Sequence, residues 1–166
     1  MKLYPIPSDF IYSITSLSWC DIKWGYKFNL ITSAVPIKKA EEKVLTGIYN
    51  ATELNLSFLS ADCYDISLLL NELCPLYEKG DESKIEAKWL FITLSWLWIN
   101  RNNVDEPLAY VESIYADFSY PSEIESFVRY MPTTDGYDPL AYTKEENINR
   151  MLDNWRGYLD RGALKF

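Results

Sequence analysis

Hydrophobic positions recur at helical spacing along nearly the whole chain, and one stretch departs from the usual single stripe. In Lys84 to Arg101, KIEAKWLFITLSWLWINR, a turn of about 100° per residue puts Ile85, Trp89, Ile92, Trp96 and Ile99 on one side. Leu90, Leu94, Leu97 and Trp98, with Ala87 and Phe91, fall on the other. Two thin polar seams divide them, Glu86, Thr93 and Asn100 on one flank and Lys88 and Ser95 on the other. A surface helix carries one apolar stripe, whereas a helix with two is covered from both sides. The stretch is therefore predicted to be the central buried helix of a helical domain, roughly 84–101. Its apolar run from Trp89 to Ile99 would be roughly 16 Å long as a helix, short of the ~20 residues that cross a bilayer. No membrane span is predicted, and the tryptophans are read as core.

The flanking sequence is helix followed by helix. Ser8 can cap a short helix carrying Phe10, Ile11, Ile14 and Leu17. Ser18 with Asp21 caps the next, a Leu17–Ile22 staple across its start, and Trp19, Ile22 and Tyr26 are expected in the core. Thr32 or Ser33 opens a third helix, in which Pro36 is tolerated only in the first turn. Ile37, Ala40, Val44 and Ile48 form its inward stripe, and Gly47 marks its end. Asn50 with Glu53 starts a short helix to Leu59. Asp62, with Asp65, starts another that buries Ile66, Leu69, Leu70 and Leu73 and stops at Pro75. Ser83 and Glu86 form a capping-box pair for the central helix.

Beyond it, Asn103 or Asp105 caps a helix with Pro107 in its first turn and Leu108, Val111, Ile114, Tyr115 and Phe118 inside. Pro121 opens a short helix of Ile124, Phe127, Val128 and Met131 that ends at Pro132. The longest irregular stretch, MPTTDGYDPLAY, holds an Asp135-Gly136 turn signal. Thr143 and Glu146 box a final amphipathic helix of Ile148, Met151, Leu152, Trp155, Tyr158 and Leu159, with a Glu146–Arg150 pair along it and Gly162 closing it. The expected fold is all-α, a single domain over 1–166 of about nine helices packed around the central one as antiparallel pairs.

Composition agrees with a folded, aromatic-rich core: 48% of the 166 residues are apolar and 16% aromatic, with 6 Trp and 13 Tyr. The net charge of −8 argues against a phosphate-binding surface, so no nucleic-acid partner is expected. A basic protein is the electrostatic complement. MKLYPIPSDF lacks the apolar stretch of a signal peptide. Cys20, Cys63 and Cys74 contain no CxxC and are expected to be free, mostly buried thiols in a reducing cytoplasm.

Candidate chemistry is sparse. The chain has no histidine, which removes Ser-His-Asp and Cys-His catalysis and His-ligated metal sites. It has no P-loop and no GxGxxG. The pairs Asp62 with Asp65 and Asp135 with Asp138 are better explained by capping and turn chemistry than by a metal, so neither metal nor cofactor is expected. One constellation stands out. Six acids lie between Asn102 and Val128, Asp105, Glu106, Glu112, Asp117, Glu123 and Glu125, with no basic residue among them. Residues 1–80 hold 9 acids and 7 bases, net −2, whereas residues 81–166 hold 15 acids and 9 bases, net −6. Glu106, Tyr110, Ser113 and Asp117 share an outward line. An acidic strip with an exposed tyrosine suits docking to a basic partner. The competing explanation is the solvated face of an acidic protein.

Three stretches carry a family likeness: LSWCDIKWGYKFNLI (17–31), KWLFITLSWLWINRNNVDEPLAYVESIYADFSYPSEIESFVRYMP (88–132) and ENINRMLDNWRGYLDR (146–161). Together they resemble an uncharacterised bacterial family of small helical proteins, with a DIKWGY-like helix near the start and a YADFxYP…FVRYMP-like block after an apolar helix. The resemblance implies an all-helical fold and an association with toxin-immunity systems; it supplies no catalytic residue. Within the second block two prolines bracket a short helix, and Arg129 is placed to pair with a neighbouring acid.

Three functions are consistent with these features. The first is a non-enzymatic acidic binding module, an immunity protein that occludes a basic toxin domain through Asp105, Glu106, Tyr110, Glu112, Asp117, Glu123 and Glu125. The second is a small histidine-free enzyme using carboxylates, for instance on glycosides. The third is a scaffolding or oligomerising helical protein.

Overall fold

A computed structural model describes residues 2–60, 65–78 and 80–166. Among these are eight α-helices and no strand: α1 (Ser8–Ile14), α2 (Trp19–Lys27), α3 (Ala34–Leu45), α4 (Ala51–Ser57), α5 (Ile66–Leu73), α6 (Asp81–Asn100), α7 (Pro107–Asp117) and α8 (Lys144–Lys165). Three 3-10 helices, Arg101–Asn103, Ser122–Phe127 and Pro139–Ala141, join them. The protein is all-α. Its contacts divide the chain into two compact units, Lys2–Trp89 and Leu90–Phe166, and the boundary falls inside α6.

The doubly apolar pattern of α6 matches its burial. Ile85, Trp89 and Ile92 of one stripe and Leu90, Phe91, Leu94 and Leu97 of the other are all buried. Ala87, Trp96 and Trp98 of the two stripes are only half-buried, and Ile99 is 56% exposed where the helix gives way to the 3-10 turn. The start of α6 also differs from expectation. It begins at Asp81, which places Ser83 inside the first turn, and the Ser83 hydroxyl donates to the Gly80 carbonyl (2.9 Å) instead of boxing Glu86. Asp81 and Glu82 set their charge against the positive end of the helix dipole.

In the unit Lys2–Trp89, the DIKWGY helix is the seat for Trp89. The Trp89 indole N–H donates to the Asp21 carbonyl (2.9 Å), and Gly25 lies under the ring so closely that a Cβ there would come within 2.2 Å of it. The Asp21 carboxylate is buried but doubly used: it accepts from the Ser18 N–H (2.7 Å) in a complete capping box and from Lys88 (2.8 Å). A buried carboxylate needs such partners to stay charged. Glu53, also buried, completes the Asn50 capping box and accepts from the Trp19 indole N–H (2.8 Å). Trp24, not Tyr26, joins Ile22 in the core of α2.

Several expectations are corrected here. Cys20 and Cys74 are joined in a disulfide that ties α2 to the end of α5. They are not free thiols, and the argument for a reducing compartment loses its basis. Cys63 and the expected helix start at Asp62 lie outside the described residues. Ile48 is exposed because α3 ends at Leu45 and Gly47 takes a left-handed turn (φ 75°), so the helical phase that placed Ile48 inward no longer applies.

In the unit Leu90–Phe166, α7 buries Leu108, Val111, Ile114 and Tyr115, the expected stripe. Its N-cap is Glu106, whose side chain makes no capping bond; neither Asn103 nor Asp105 caps it, and Pro107 occupies the first turn. Trp155 of α8 is fully buried, stacked on Phe127 (6.1 Å between ring centres) and set edge-on to Trp98 (5.0 Å). Thr143 and Glu146 box the start of α8 as expected. Gly162 does not end that helix. It is a buried interior residue, and Phe91 lies against it where a side chain would be.

Candidate binding surface

The acidic strip extends from the turn before α7, along that helix, to the 3-10 helix Ser122–Phe127. Asp105, Glu106, Asp117 and Glu123 are exposed, Glu112 and Glu125 are half-buried, and Tyr110 is half-buried rather than open on the outer line. Arg129, which follows the 3-10 helix, reaches back to α7. Its guanidinium donates to both carboxylate oxygens of Glu112 (2.6 and 3.0 Å) and to Glu106 (3.3 Å). The two-pronged fit to Glu112 is the strong geometry for this pair. It holds Arg129 above its already high ordinary pKa, through the hydrogen bonds to Glu112 first. The charge available to a partner is therefore smaller than the six acids alone indicate, because Arg129 offsets part of the Glu106–Glu112 pair.

Glu125 is turned inward. The buried Tyr115 hydroxyl donates to it (3.1 Å) and lies 3.8 Å from the Met131 sulfur. Burial raises the Tyr115 pKa, and the hydrogen bond to Glu125 adds to that. Two further tyrosines flank the Tyr115 ring: Tyr120 edge-on at 5.3 Å and Tyr130 tilted at 6.2 Å. Both are open to solvent, 62% and 59% exposed.

Beside this cluster is a cleft of about 420 Å³, with Glu123, Glu125, Arg129, Asp135, Tyr137 and Arg150 among its lining residues. The irregular stretch that forms its outer wall is well tied down. Arg150 pairs with Asp135 and lies over the Tyr137 ring (3.9 Å), so the Glu146–Arg150 pair expected along α8 gives way to this one. Tyr137 stacks on Tyr142 (4.7 Å) and donates from its hydroxyl to Asn147 (2.7 Å). The Tyr137 N–H and then Arg150 hold the Asp135 pKa below the ordinary carboxylate value.

Sequence reasoning assigns no site role to Tyr120 and Tyr130; it places Tyr115 in the core, pairs Arg150 with Glu146, and reads Asp135 as turn chemistry. Arg129 was expected to meet an acid, but not which one. Tyr120 and Tyr130 sit in the YADFSYP…FVRYMP block, so the block itself was the available signal. Among the described residues, no group of three or more His, Cys, Asp or Glu side chains is arranged to hold a metal ion. No described helix is long and apolar enough to cross a membrane.

Comparison with protein families adds one result. The model of a family described as an uncharacterized protein conserved in bacteria (DUF2247) matches residues 8–163. The chain belongs to that family. The match takes in the DIKWGY helix, the block with the tyrosine cluster and nearly all of α8. No curated protein and no solved structure matches the chain.

Proposed function

We propose that the protein is a non-enzymatic binding module that docks a basic protein through the acidic strip, and that the partner is a toxin domain which it neutralises as an immunity protein. The observation that carries the docking reading is the exposure of Asp105, Glu106, Asp117 and Glu123 on one continuous segment, where Arg129 pairs with Glu112 and Glu106 and where Arg161 and Lys165 share a small pocket with Glu123. Opposite charge speeds encounter and fixes register. The immunity role comes from the family likeness of residues 17–31, 88–132 and 146–161.

The cleft bears on the carboxylate-enzyme alternative. A general acid needs a carboxyl whose proton is held near neutral pH. Asp135 is shifted the opposite way, and Glu125 is engaged by Tyr115. That chemistry favours binding over hydrolysis. The scaffolding alternative has one observation in its favour, the exposed run Leu45, Ile48 and Tyr49 after α3. Sedimentation across a hundredfold concentration range tests it directly.

For the docking reading, affinity capture from the native host with the intact protein as bait, read by mass spectrometry, is expected to return a basic protein. The variant Asp105→Asn/Asp117→Asn/Glu123→Gln leaves the Arg129 fork intact. It is expected to slow association with the captured protein about tenfold at low salt and to flatten the salt dependence. Association rates unchanged by that triple substitution would remove the strip from the mechanism.

A further inference from the structure

The chain leaves α7 in a conformation that its own residues disfavour. Ser119 and Tyr120 both lie in the left-handed region (φ 60° and 61°), where glycine or asparagine is the usual choice. Tyr120 also precedes Pro121, which biases the preceding residue toward extended backbone. The arrangement is held by hydrogen bonds from the Ser119 N–H to the Ala116 carbonyl (3.2 Å) and from the Tyr120 N–H to the Tyr115 carbonyl (2.8 Å). Those bonds need only a backbone, and glycine would make them with less strain. The tyrosine side chain is thus not explained by the turn. Nor is it explained by burial, since Tyr120 is 62% exposed. Its ring contact in the structure is the edge-on one to Tyr115 (5.3 Å), which leaves most of the side chain in solvent, and strained non-glycine positions of this kind cluster at functional sites.

The ring's surroundings indicate a ligand class. Tyr120 and Tyr130 both contact the Tyr115 ring, and both remain more than half exposed. Tyr115 is fixed beneath them by its bond to Glu125, and Arg129, the residue before Tyr130, is held by Glu112 and Glu106. Aromatic faces attract cations, and guanidinium groups stack on them as well. Carboxylates around such a surface disfavour anions and complement a positive charge.

We propose that Tyr120 and Tyr130 form the anchor platform of the docking surface, on which an arginine side chain of the basic partner stacks, with the acids of the strip supplying the counter-charge. The inference rests on the docking reading and specifies its contact chemistry. Tyrosine and arginine are the residue types that dominate interface energetics, and a small central cluster of them carries most of the binding. The strained turn then acts as a bracket that holds the Tyr120 ring outward.

The test uses the full chain with isotope-labelled tyrosine and two nine-residue peptides, one carrying alternating arginines and one with citrulline at the same positions. Citrulline keeps the planar shape and removes the charge. The arginine peptide is expected to shift the Tyr120 and Tyr130 ring signals saturably, and the citrulline peptide to leave them in place. Tyr120→Gly/Tyr130→Ala is expected to weaken the arginine peptide at least tenfold. Tyr120→Gly alone is expected to leave the urea midpoint unlowered, because glycine relieves the left-handed backbone. A loss of midpoint in Tyr120→Gly would make the ring a packing residue and overturn the platform.

The remaining outcomes separate the two ideas. Equal binding of the citrulline peptide, or full binding by the double tyrosine variant, overturns the platform. If the Asp105→Asn/Asp117→Asn/Glu123→Gln variant alone loses affinity, the acidic docking reading survives without it. If the tyrosine variant alone loses affinity, the platform stands and the strip does not. No saturable shift with the arginine peptide overturns the platform, and a non-basic protein captured from the host overturns the docking reading.

Discussion

The two glycines inside α8 make opposite predictions from one substitution. Alanine is favoured over glycine in a helix interior by about 1 kcal/mol. At Gly157 the only neighbour among the described residues within reach of an added Cβ is the end of the flexible Arg161 side chain, at 3.4 Å. Gly157→Ala is therefore expected to stabilise the protein by about 0.5–1 kcal/mol. At Gly162 the added carbon would lie 2.3 and 2.7 Å from two atoms of the Phe91 ring. Carbon atoms rest about 3.5–4.0 Å apart, so the ring must withdraw by more than about 1 Å. Phe91 is buried and already packed against Phe166 (5.5 Å between ring centres). Forcing atoms into a filled core costs about 1–3 kcal/mol. Gly162 is also three residues from the helix end, where the propensity gain is smaller. The net expectation for Gly162→Ala is a loss of about 0.5–2 kcal/mol.

Urea unfolding followed by circular dichroism reads the difference. With a slope of about 2 kcal/mol/M, the two variants should differ in midpoint by about 0.5–1.5 M, with Gly157→Ala above the parent and Gly162→Ala below. Phe91→Leu narrows the ring position, so the cost of Gly162→Ala should shrink in the double variant, a coupling that a mutant cycle isolates. A Gly162→Ala midpoint equal to or above that of Gly157→Ala would refute the close-packing argument outright.

Trp89→Ala should cost about 3–5 kcal/mol, because it empties a fully buried site and removes the indole hydrogen bond to the Asp21 carbonyl; a loss under about 1 kcal/mol in the same melts would contradict that. Thr93 is fully buried, and its hydroxyl has no partner among the described residues, so Thr93→Val should raise stability by about 1 kcal/mol, and a lowered midpoint would mean the hydroxyl is satisfied. Asp135 and Glu146 both have folded-state pKa values below their ordinary ones, Asp135 through the Tyr137 N–H and Glu146 through the Thr143 N–H. A depressed pKa contributes stability above the unfolded value of about 4 and loses it as pH falls through the folded one. Carboxyl NMR should show each group titrating below its own ordinary value, with the unfolding midpoint falling as the pH drops through those titrations, and either group titrating at or above its ordinary value would contradict the assignment.

Much of the fold was legible because its rules are local. Ser18 with Asp21, Asn50 with Glu53 and Thr143 with Glu146 all close as capping boxes, since each box needs only the right side chains three residues apart. Ser83 with Glu86 has the same spelling and fails, because α6 gains three more residues and two acidic side chains in its first turn by starting at Asp81. The misleading glycine shows a similar limit. Gly47 ends a helix and Gly162 lies inside one, and only the position of Phe91 distinguishes them. The disulfide was out of reach for a related reason: Cys20 and Cys74 are 54 residues apart, and whether they meet depends on how α2 and α5 pack.

The proposed binding surface divides along the same line. The run of acids is a property of composition and could be read directly; the share of it that Arg129 offsets is a property of packing and could not. The two tyrosines that distinguish this surface from an ordinary acidic face are conspicuous only once the backbone is known. Elsewhere local preference and fold agree: left-handed positions fall to Gly47, Gly80, Gly136 and Asn29, the residues that tolerate them. Ser119 and Tyr120 are the remaining cases among the described residues, and they are consecutive, precede a proline and hold an aromatic ring in solvent. A turn required only for folding would gain from glycine at Tyr120. On the proposed platform it is the exposed ring at Tyr120, rather than the turn, that the tyrosine supplies.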